Sequence, residues 1–326
     1  MNLPKIEELD IQNKKVLLRA DLDIDVSKDG LGRLGVLLPT LKILAQKASK
    51  ITIIGHKGRP DGKENKKLSL KTVSTALRKL LVQEWGEEEV KKIDMEMAEN
   101  LRFDSGETEN NEHYAEHLAE GNDVYVNEAF ATSHRKHASI VRLPKLLPSA
   151  AGIRFVEEVE NLERVFNNPK NPVLLFIGGV KKDKLDHLED FKKFADKILI
   201  GGRLPEYLPE DLSDNKLLIA KLIMDKEDIT VHSIEKFEEE IGKAGTIILA
   251  GPMGKFEEEG HMMGTKRVFK AIVDSQAYKL AGGGDTQKAI TALDLTEKFD
   301  WVSIGGGASL EYLAKRTLPG IEALLN

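Results

Sequence analysis

Residues 278–293 read YKLAGGGDTQKAITAL, and the parsing of this stretch decides the architecture. Residues 278–281 form a short, largely apolar run, Gly282-Gly283-Gly284 a turn without side chains, and Asp285-Thr286 a polar pair opening a helix expected over Thr286 to Leu293. Strand, small-residue turn and helix in that order make one α/β unit. A glycine turn lets the backbone approach an anion, and the helix head adds unpaired N–H groups and the positive end of its dipole. Asp285 suits a hard cation such as magnesium, which prefers carboxylate, water and phosphate oxygens.

The same design repeats outward from this stretch. Short β-branched runs at 16–19, 51–55, 124–127, 173–177, 197–200, 217–221, 246–250 and 301–303 read as strands. Several of them, VLLFI and TIILA among them, are almost continuously apolar, as befits parallel strands buried on both faces. Segments with helical spacing lie between them, at 70–81 and 234–241 for example, so right-handed crossovers are expected. In the second half, runs end in Ile177-Gly178-Gly179, Ile200-Gly201-Gly202, Ala250-Gly251-Pro252 and Ile304-Gly305-Gly306-Gly307. In open α/β sheets ligands bind beyond the carboxyl ends of the strands, so these turns are expected to line one edge. Residues 151–168, containing RFVEEVENLERVF and closed by Asn-Asn-Pro, read as a long helix connecting two domains.

The first half places different chemistry after its strands. Arg19-Ala20-Asp21-Leu22-Asp23, His56-Lys57-Gly58-Arg59, Glu99-Asn100-Leu101-Arg102 and His134-Arg135-Lys136-His137 follow in turn, with Arg33 between the first two. The arginine fork matches phosphate and carboxylate oxygens, so several converging arginines make a site for a multiply anionic small molecule. Lys181-Lys182-Asp183-Lys184 after the Gly178-Gly179 turn reads either as charge for a phosphoryl group or as a solvated helix start.

Composition removes many alternatives. The absence of cysteine excludes disulfides, thiolate zinc sites, iron–sulfur clusters and cysteine nucleophiles. A net charge of -6 argues against a nucleic-acid partner. No stretch approaches a membrane span, and MNLPKIEELD lacks the apolar core of a signal peptide, so a cytoplasmic location is expected. There is no P-loop, Rossmann fingerprint, H-R-D loop, G-x-S-x-G or H-E-x-x-H. His113, His117, His187, His232 and His261 read as surface or packing residues. At 326 residues, two domains are the default.

In chain order the motifs are RADLD, LPTL, GHKGRP, ENLRF, VYVNEAF, SHRKHAS, IGGVKKDK, ILIGG, GPMGKFE, GGGDT, SIGGGASLEYL and LPG. This series resembles the phosphoglycerate kinase family across nearly the whole chain. The resemblance implies two Rossmann-like domains, each doubly wound on a mainly parallel sheet, joined by a hinge helix. Residues 1–152 with a returning tail, 320–326, would bind 3-phosphoglycerate or 1,3-bisphosphoglycerate, and 153–319 would bind magnesium-ADP or magnesium-ATP. On the glycerate side it implies Asp21, Asp23, Arg33, His56, Arg59, Arg102 and Arg135. On the nucleotide side it implies Gly178, Gly179, Lys184, Gly201, Gly202, Pro252, Glu257, Gly283, Gly284, Asp285, Thr286, Gly305 and Gly306. Arg33, Lys181 and Lys184 would stabilise the transferring group, Glu257 would meet the ribose, Asp285 the magnesium, and Thr286 with the glycine N–H groups the phosphoryl oxygens. A monomer with small-molecule substrates is implied, without nucleic-acid or membrane partners. A catalytically silent phosphoglycerate- or nucleotide-binding protein, or a kinase for another small carboxylate, stays open as an alternative.

The chain departs from the family pattern at several points. Asp23 stands where asparagine is usual and is expected either to pair with an arginine or to be held off the substrate. Ala250 and Ile304 replace an asparagine and a threonine, and the lysine cluster is one residue shorter. The chain is also shorter than the family by several dozen residues, mainly between Gly202 and Asp228, which implies a shallower base pocket with weaker selection of adenine over guanine.

Overall fold

A computed structural model describes residues 2–26 and 32–326, the side chains of Gly32 and Arg33 excepted. The chain divides into two units, Met1–Val159 with Thr317–Asn326, and Glu160–Arg316. Each is an α/β layer built on one parallel sheet.

In the first unit the strands are β1 (Lys15–Arg19), β2 (Lys50–Ile54), β3 (Met95–Met97), β4 (Val124–Asn127) and β5 (Ser149–Ala151), in the order β3-β2-β1-β4-β5. All pairs are parallel, so every crossover returns through helix, such as Leu38–Lys47 after β1 and Lys71–Trp85 after β2. The order grows outward from β1 in one direction through β2 and β3, then in the other through β4 and β5. The reversal makes a topological switch point between β1 and β4, where an open sheet leaves a crevice at its carboxyl edge. Val16, Leu18, Ile51, Ile53, Val124 and Val126 pack one face against Leu41, Leu44, Val73 and Leu77.

In the second unit, β6 (Val173–Ile177), β7 (Lys197–Ile200), β8 (Leu217–Ile219), β9 (Thr246–Ala250), β10 (Tyr278–Gly282) and β11 (Trp301–Ser303) take the order β11-β10-β9-β6-β7-β8, again all parallel. The switch point lies between β6 and β9, whose residues are buried throughout. Helices Val231–Ile241 and Met263–Asp274 each turn an apolar stripe inward, Ile234, Phe237 and Ile241 on one and Val268, Phe269 and Ile272 on the other. Phe237 meets Phe176 of β6 edge-on, with centroids 5.8 Å apart.

The structure adds two strands that periodicity misses. β3 and β5 are three-residue edges, MEM and SAA, too short and too weakly apolar to register as runs. β8 stops at Ile219 rather than Lys221, because the chain bends into an antiparallel bridge between Leu222 and Ile229. The connecting helix spans Ile153–Glu163, shorter than expected. At its far end the ladder tightens to Val165 N–H→Leu162 O, and Asn168 turns left-handed at φ 60°. At its near end the buried Glu128 carboxylate accepts from Arg154 N (3.2 Å) and Phe155 N (3.0 Å) and from the Thr40 hydroxyl. Burial pushes the Glu128 carboxyl up to about 7. Among the described residues, no helix is long and apolar enough to cross a membrane.

Candidate active site

Each strand of the first sheet from β3 to β4 delivers side chains to the carboxyl edge within a few residues of its end. β1 is followed by Asp21 and Asp23, β2 by His56 and Arg59, β3 by Arg102 in the single turn Leu101–Phe103, and β4 by Thr132, His134 and Arg135. Asp21, Asp23, His56, Arg59, Arg102 and Arg135 line one pocket with Ala131, Thr132 and His134, about 220 Å³ in volume. That is below the range usual for drug-sized ligands, roughly 300–1,000 Å³, and matches a compact polar molecule. Arg33 lies in the short helix Gly32–Gly35, and its side chain is outside the described residues.

The pocket walls are tied together by its own carboxylates. Asp21 accepts from Ala131 N–H at 3.0 Å and Thr132 Oγ1 at 3.1 Å, joining the turn after β1 to the turn after β4. Asp23 Oδ1 accepts from Gly58 N–H at 2.9 Å, and its Oδ2 lies 3.9 Å from His56 Nε2. Asp23 is thus anchored by main chain, and among the described side chains no arginine forms an ion pair with it, the pairing that was one of its expected fates. Arg102 Nη1 donates to Gly58 O at 2.7 Å, while its buried Nε finds no hydrogen-bond partner among the described residues.

Positive charge accumulates here beyond what the protein neutralises. Burial, with Arg135 and Arg19 nearby, lowers Arg102 to about 10. Burial and Arg59 lower Arg135. Burial, Arg102 and Arg19 push His137 down to about 3, and burial with Arg19 and Arg102 holds His56 well below the usual histidine range. Cations that destabilise one another while facing a pocket are poised for a multiply charged anion.

The second unit gathers its turns around its own switch point. Gly179 N–H donates to Pro252 O at 2.8 Å, Gly202 N–H to Met253 O at 3.1 Å, and Arg203 N–H to Gly179 O at 2.9 Å. These bonds knit the turns after β6, β7 and β9 into one backbone surface. Gly202 must be glycine on two counts: its φ is +59°, and a Cβ there would collide with Gly179 N and O. Lys184 reaches back into this surface from the turn of 3₁₀ helix Lys182–His187. Its Nζ donates to Gly178 O (2.6 Å) and Ala250 O (2.9 Å), bridging the ends of β6 and β9 at the switch point. An ammonium has three donors, so one remains. Burial lowers Lys184 to about 8, against the raising influence of Asp285. Lys181 stays exposed.

After β10 and β11 come the two triple-glycine turns. Helix Gly284–Ala292 begins two residues earlier than expected, with Gly283 as its cap. Its ladder opens with Gln287 N–H→Gly283 O (2.8 Å), leaving the N–H groups of Gly284, Asp285 and Thr286 ahead of it. Helix Gly306–Lys315 opens likewise with Ser309 N–H→Gly305 O at 2.7 Å. The turns touch, since a Cβ on Gly306 would stand 2.5 Å from Gly283 Cα. Thr286 is buried and its hydroxyl donates to Gly282 O at 2.8 Å, so its main chain, rather than its hydroxyl proton, is offered outward. Glu257 is exposed in the turn following Phe256. The Asp285 carboxylate is about half exposed and 3.8 Å from Lys288.

Sequence reasoning missed the layer beneath the first pocket: Arg19, Glu107 and Ser139, all buried, and His137. Arg19 and His137 stand in motifs already noted, but burial of a charged residue leaves no periodic signal.

With this geometry in view, the comparisons are consistent. The family description that matches is phosphoglycerate kinase, over residues 6–210 and 213–316. The phosphoglycerate kinase of Coprothermobacter proteolyticus is 32% identical, with 100% of this chain and 99% of that protein covered. That of Thermosipho africanus is 33% identical, with 98% and 97% covered. Among solved structures, phosphoglycerate kinase from Coxiella burnetii superposes with a TM-score of 0.81 at 28% identity, covering 99% of each chain. The enzyme from Pyrococcus horikoshii gives 0.80 at 27% identity, covering 99% of this chain and 98% of that one. An arginine pocket on one sheet edge, glycine turns on another, and relatives matched from end to end agree: the chain belongs to the phosphoglycerate kinase family.

Proposed function

We propose that the chain catalyses reversible phosphoryl transfer between ATP and 3-phosphoglycerate, each unit binding one substrate. The observation that carries the reading is the convergence of Asp21, Asp23, His56, Arg59, Arg102 and Arg135 on one small cationic pocket. In that pocket the arginines hold the phosphate and carboxylate of 3-phosphoglycerate, and the histidine donates to an oxyanion. The nucleotide lies along the second sheet edge, its phosphates at the N–H groups of the two glycine-headed helices and its base toward Gly201-Gly202, with Glu257 at the ribose.

In the forward step toward 1,3-bisphosphoglycerate, a carboxylate oxygen of 3-phosphoglycerate attacks the γ-phosphorus of ATP. The new O–P bond forms as the bond to the β-bridging oxygen breaks, ADP departs, and no proton transfer is needed. Catalysis is therefore alignment plus charge stabilisation. Lys184 directs its remaining N–H and Lys181 its mobile ammonium to the transferring group, with Arg33 on the acceptor side. The acyl phosphate is prone to hydrolysis, so closure of the two units around the hinge helix, with exclusion of water, belongs to the same proposal.

Magnesium fits the residues present. It is usually held by one or two carboxylates together with phosphate and water, and Asp285 offers one partly exposed carboxylate beside the helix-head N–H groups. Bound there, the ion would neutralise phosphate charge. Cytoplasmic, monomeric operation is part of this reading.

The test follows phosphorus NMR of the protein with magnesium-ATP and 3-phosphoglycerate, trapping the acyl phosphate. Formation of ADP and trapped product is expected. Binding of both ligands without product would instead favour a silent binding protein.

A further inference from the structure

The floor of the arginine pocket contains a charged network that touches no solvent. Arg19, the last residue of β1, is fully buried, as is Glu107. Arg19 Nε donates to Ser139 Oγ at 2.8 Å and Nη1 to Ala20 O at 2.6 Å. Its Nη2 lies 3.0 Å from His56 Nδ1 and 3.8 Å from Glu107 Oε1. Glu107 in turn accepts from Ser139 N (2.9 Å) and Ser139 Oγ (2.7 Å), so the guanidinium is held from several sides.

The Arg19–His56 contact has only one possible sense. Guanidinium has donors and no acceptor, so Nη2–H donates and Nδ1 accepts. A neutral imidazole accepting at Nδ1 carries its proton on Nε2. Nε2 is also the nitrogen near Asp23 Oδ2, on the pocket wall that both residues line. Released from this contact, the ring is free to take the other tautomer, which would present a lone pair to an incoming anion.

We propose that Arg19 is a positioning residue that acts through His56, locking the imidazole as its Nε2–H tautomer so that the pocket presents a fixed neutral donor to a ligand oxyanion. Glu107 and Ser139 hold Arg19 in the orientation this requires. The inference rests on the phosphoglycerate reading of the pocket for its kinetic consequence, but not for the tautomer itself.

The experiment uses the full-length protein with histidine labelled by nitrogen-15. In the wild type, His56 Nε2 should be protonated and Nδ1 an acceptor from about pH 5.5 to 8.5. In Arg19→Lys, which keeps a charge but loses the fork, a tautomer mixture is expected, with the KM for 3-phosphoglycerate raised about tenfold and kcat changed less. In a His56→Gln background, whose amide nitrogen donates without a tautomer choice, Arg19→Lys should raise KM by less than about threefold. If Arg19→Lys fails to fold, Ser139→Ala, which removes one anchor of Arg19, is read in the same way. A wild-type ring protonated on Nδ1, a variant ring unchanged while KM rises, or an undiminished effect in the His56→Gln background overturns the proposal. If the tautomer behaves as stated but 3-phosphoglycerate neither binds nor reacts, the substrate reading fails and the positioning role stands.

Discussion

Lys184 gives the sharpest link between a buried contact and a rate. Its ammonium bridges Gly178 O and Ala250 O, and burial lowers it to about 8. Before nucleotide binds, the charged form therefore falls to about a tenth of the total at pH 9, one unit above that value. The kcat/KM for nucleotide reports groups of the enzyme form that binds nucleotide, so it should fall about tenfold between pH 7 and pH 9. The floor is set by Lys184→Met, which loses charge-assisted hydrogen bonds worth roughly 1.5–3 kcal/mol, or about 10- to 100-fold, and should show no inflection near pH 8. Unfolding does not mimic this loss. A lysine depressed in the folded state binds fewer protons there than in the unfolded chain, so its contribution to stability rises with pH from about 8 toward 10.5. The assay is initial rate at subsaturating magnesium-ATP and saturating 3-phosphoglycerate, from pH 6.5 to 9.5. A wild-type profile flat to pH 9.5, or the same inflection in Lys184→Met, refutes the reasoning.

Glu128 has the opposite sign: raised to about 7 from 4.5, it makes the folded state hold an extra proton in that window, so stability should fall as pH rises through it. Glu128→Gln should flatten that slope in denaturant titrations at pH 5 and pH 8. Gly202→Ala places a methyl against the Gly179 backbone and should weaken nucleotide binding at least about tenfold in calorimetry, with 3-phosphoglycerate binding unaffected. Asp23→Asn retains an acceptor for Gly58 N–H and removes a carboxylate, 56% exposed and so screened; the KM for 3-phosphoglycerate should drop about two- to fivefold, and no change would show that repulsion is negligible. Steady-state kinetics should show only modest preference for ADP over GDP, and a ratio above about 100-fold would refute the idea of a shallow base pocket. The alignment with the Coprothermobacter enzyme runs over 390 positions while this chain has 326 residues, so this chain is the shorter of the two.

What could be read in advance, and what could not, follows physical lines. Strands such as VLLFI and TIILA announce themselves because both faces are buried, and turns such as Gly282-Gly283-Gly284 because only glycine serves there. The edges β3 and β5 did not, since three residues carry too little periodicity. Arg59, Arg102 and Arg135 were legible as strand-end cations, and the fold does bring them to one pocket. The anchoring of Lys184 to two carbonyls was not, because spacing along the chain says nothing of which strand ends a side chain will span. Arg19 and Glu107 were hidden for a related reason: only tertiary structure shows that an ion pair at the end of an apolar strand is buried.

Helix Pro319–Leu325 returns to the first unit, where Gly320 N–H bonds Ser133 O at 2.9 Å and Ile321 and Leu324 are buried. Ser133 immediately precedes His134 and Arg135 of the pocket. Residues 160–316 form one continuous stretch, whereas the unit begun first needs residues 317–326, made after that stretch, to close its surface. The unit begun first is therefore completed only after the whole of the second has been made, and the turn that carries Arg135 gains its final support from residues 317–326.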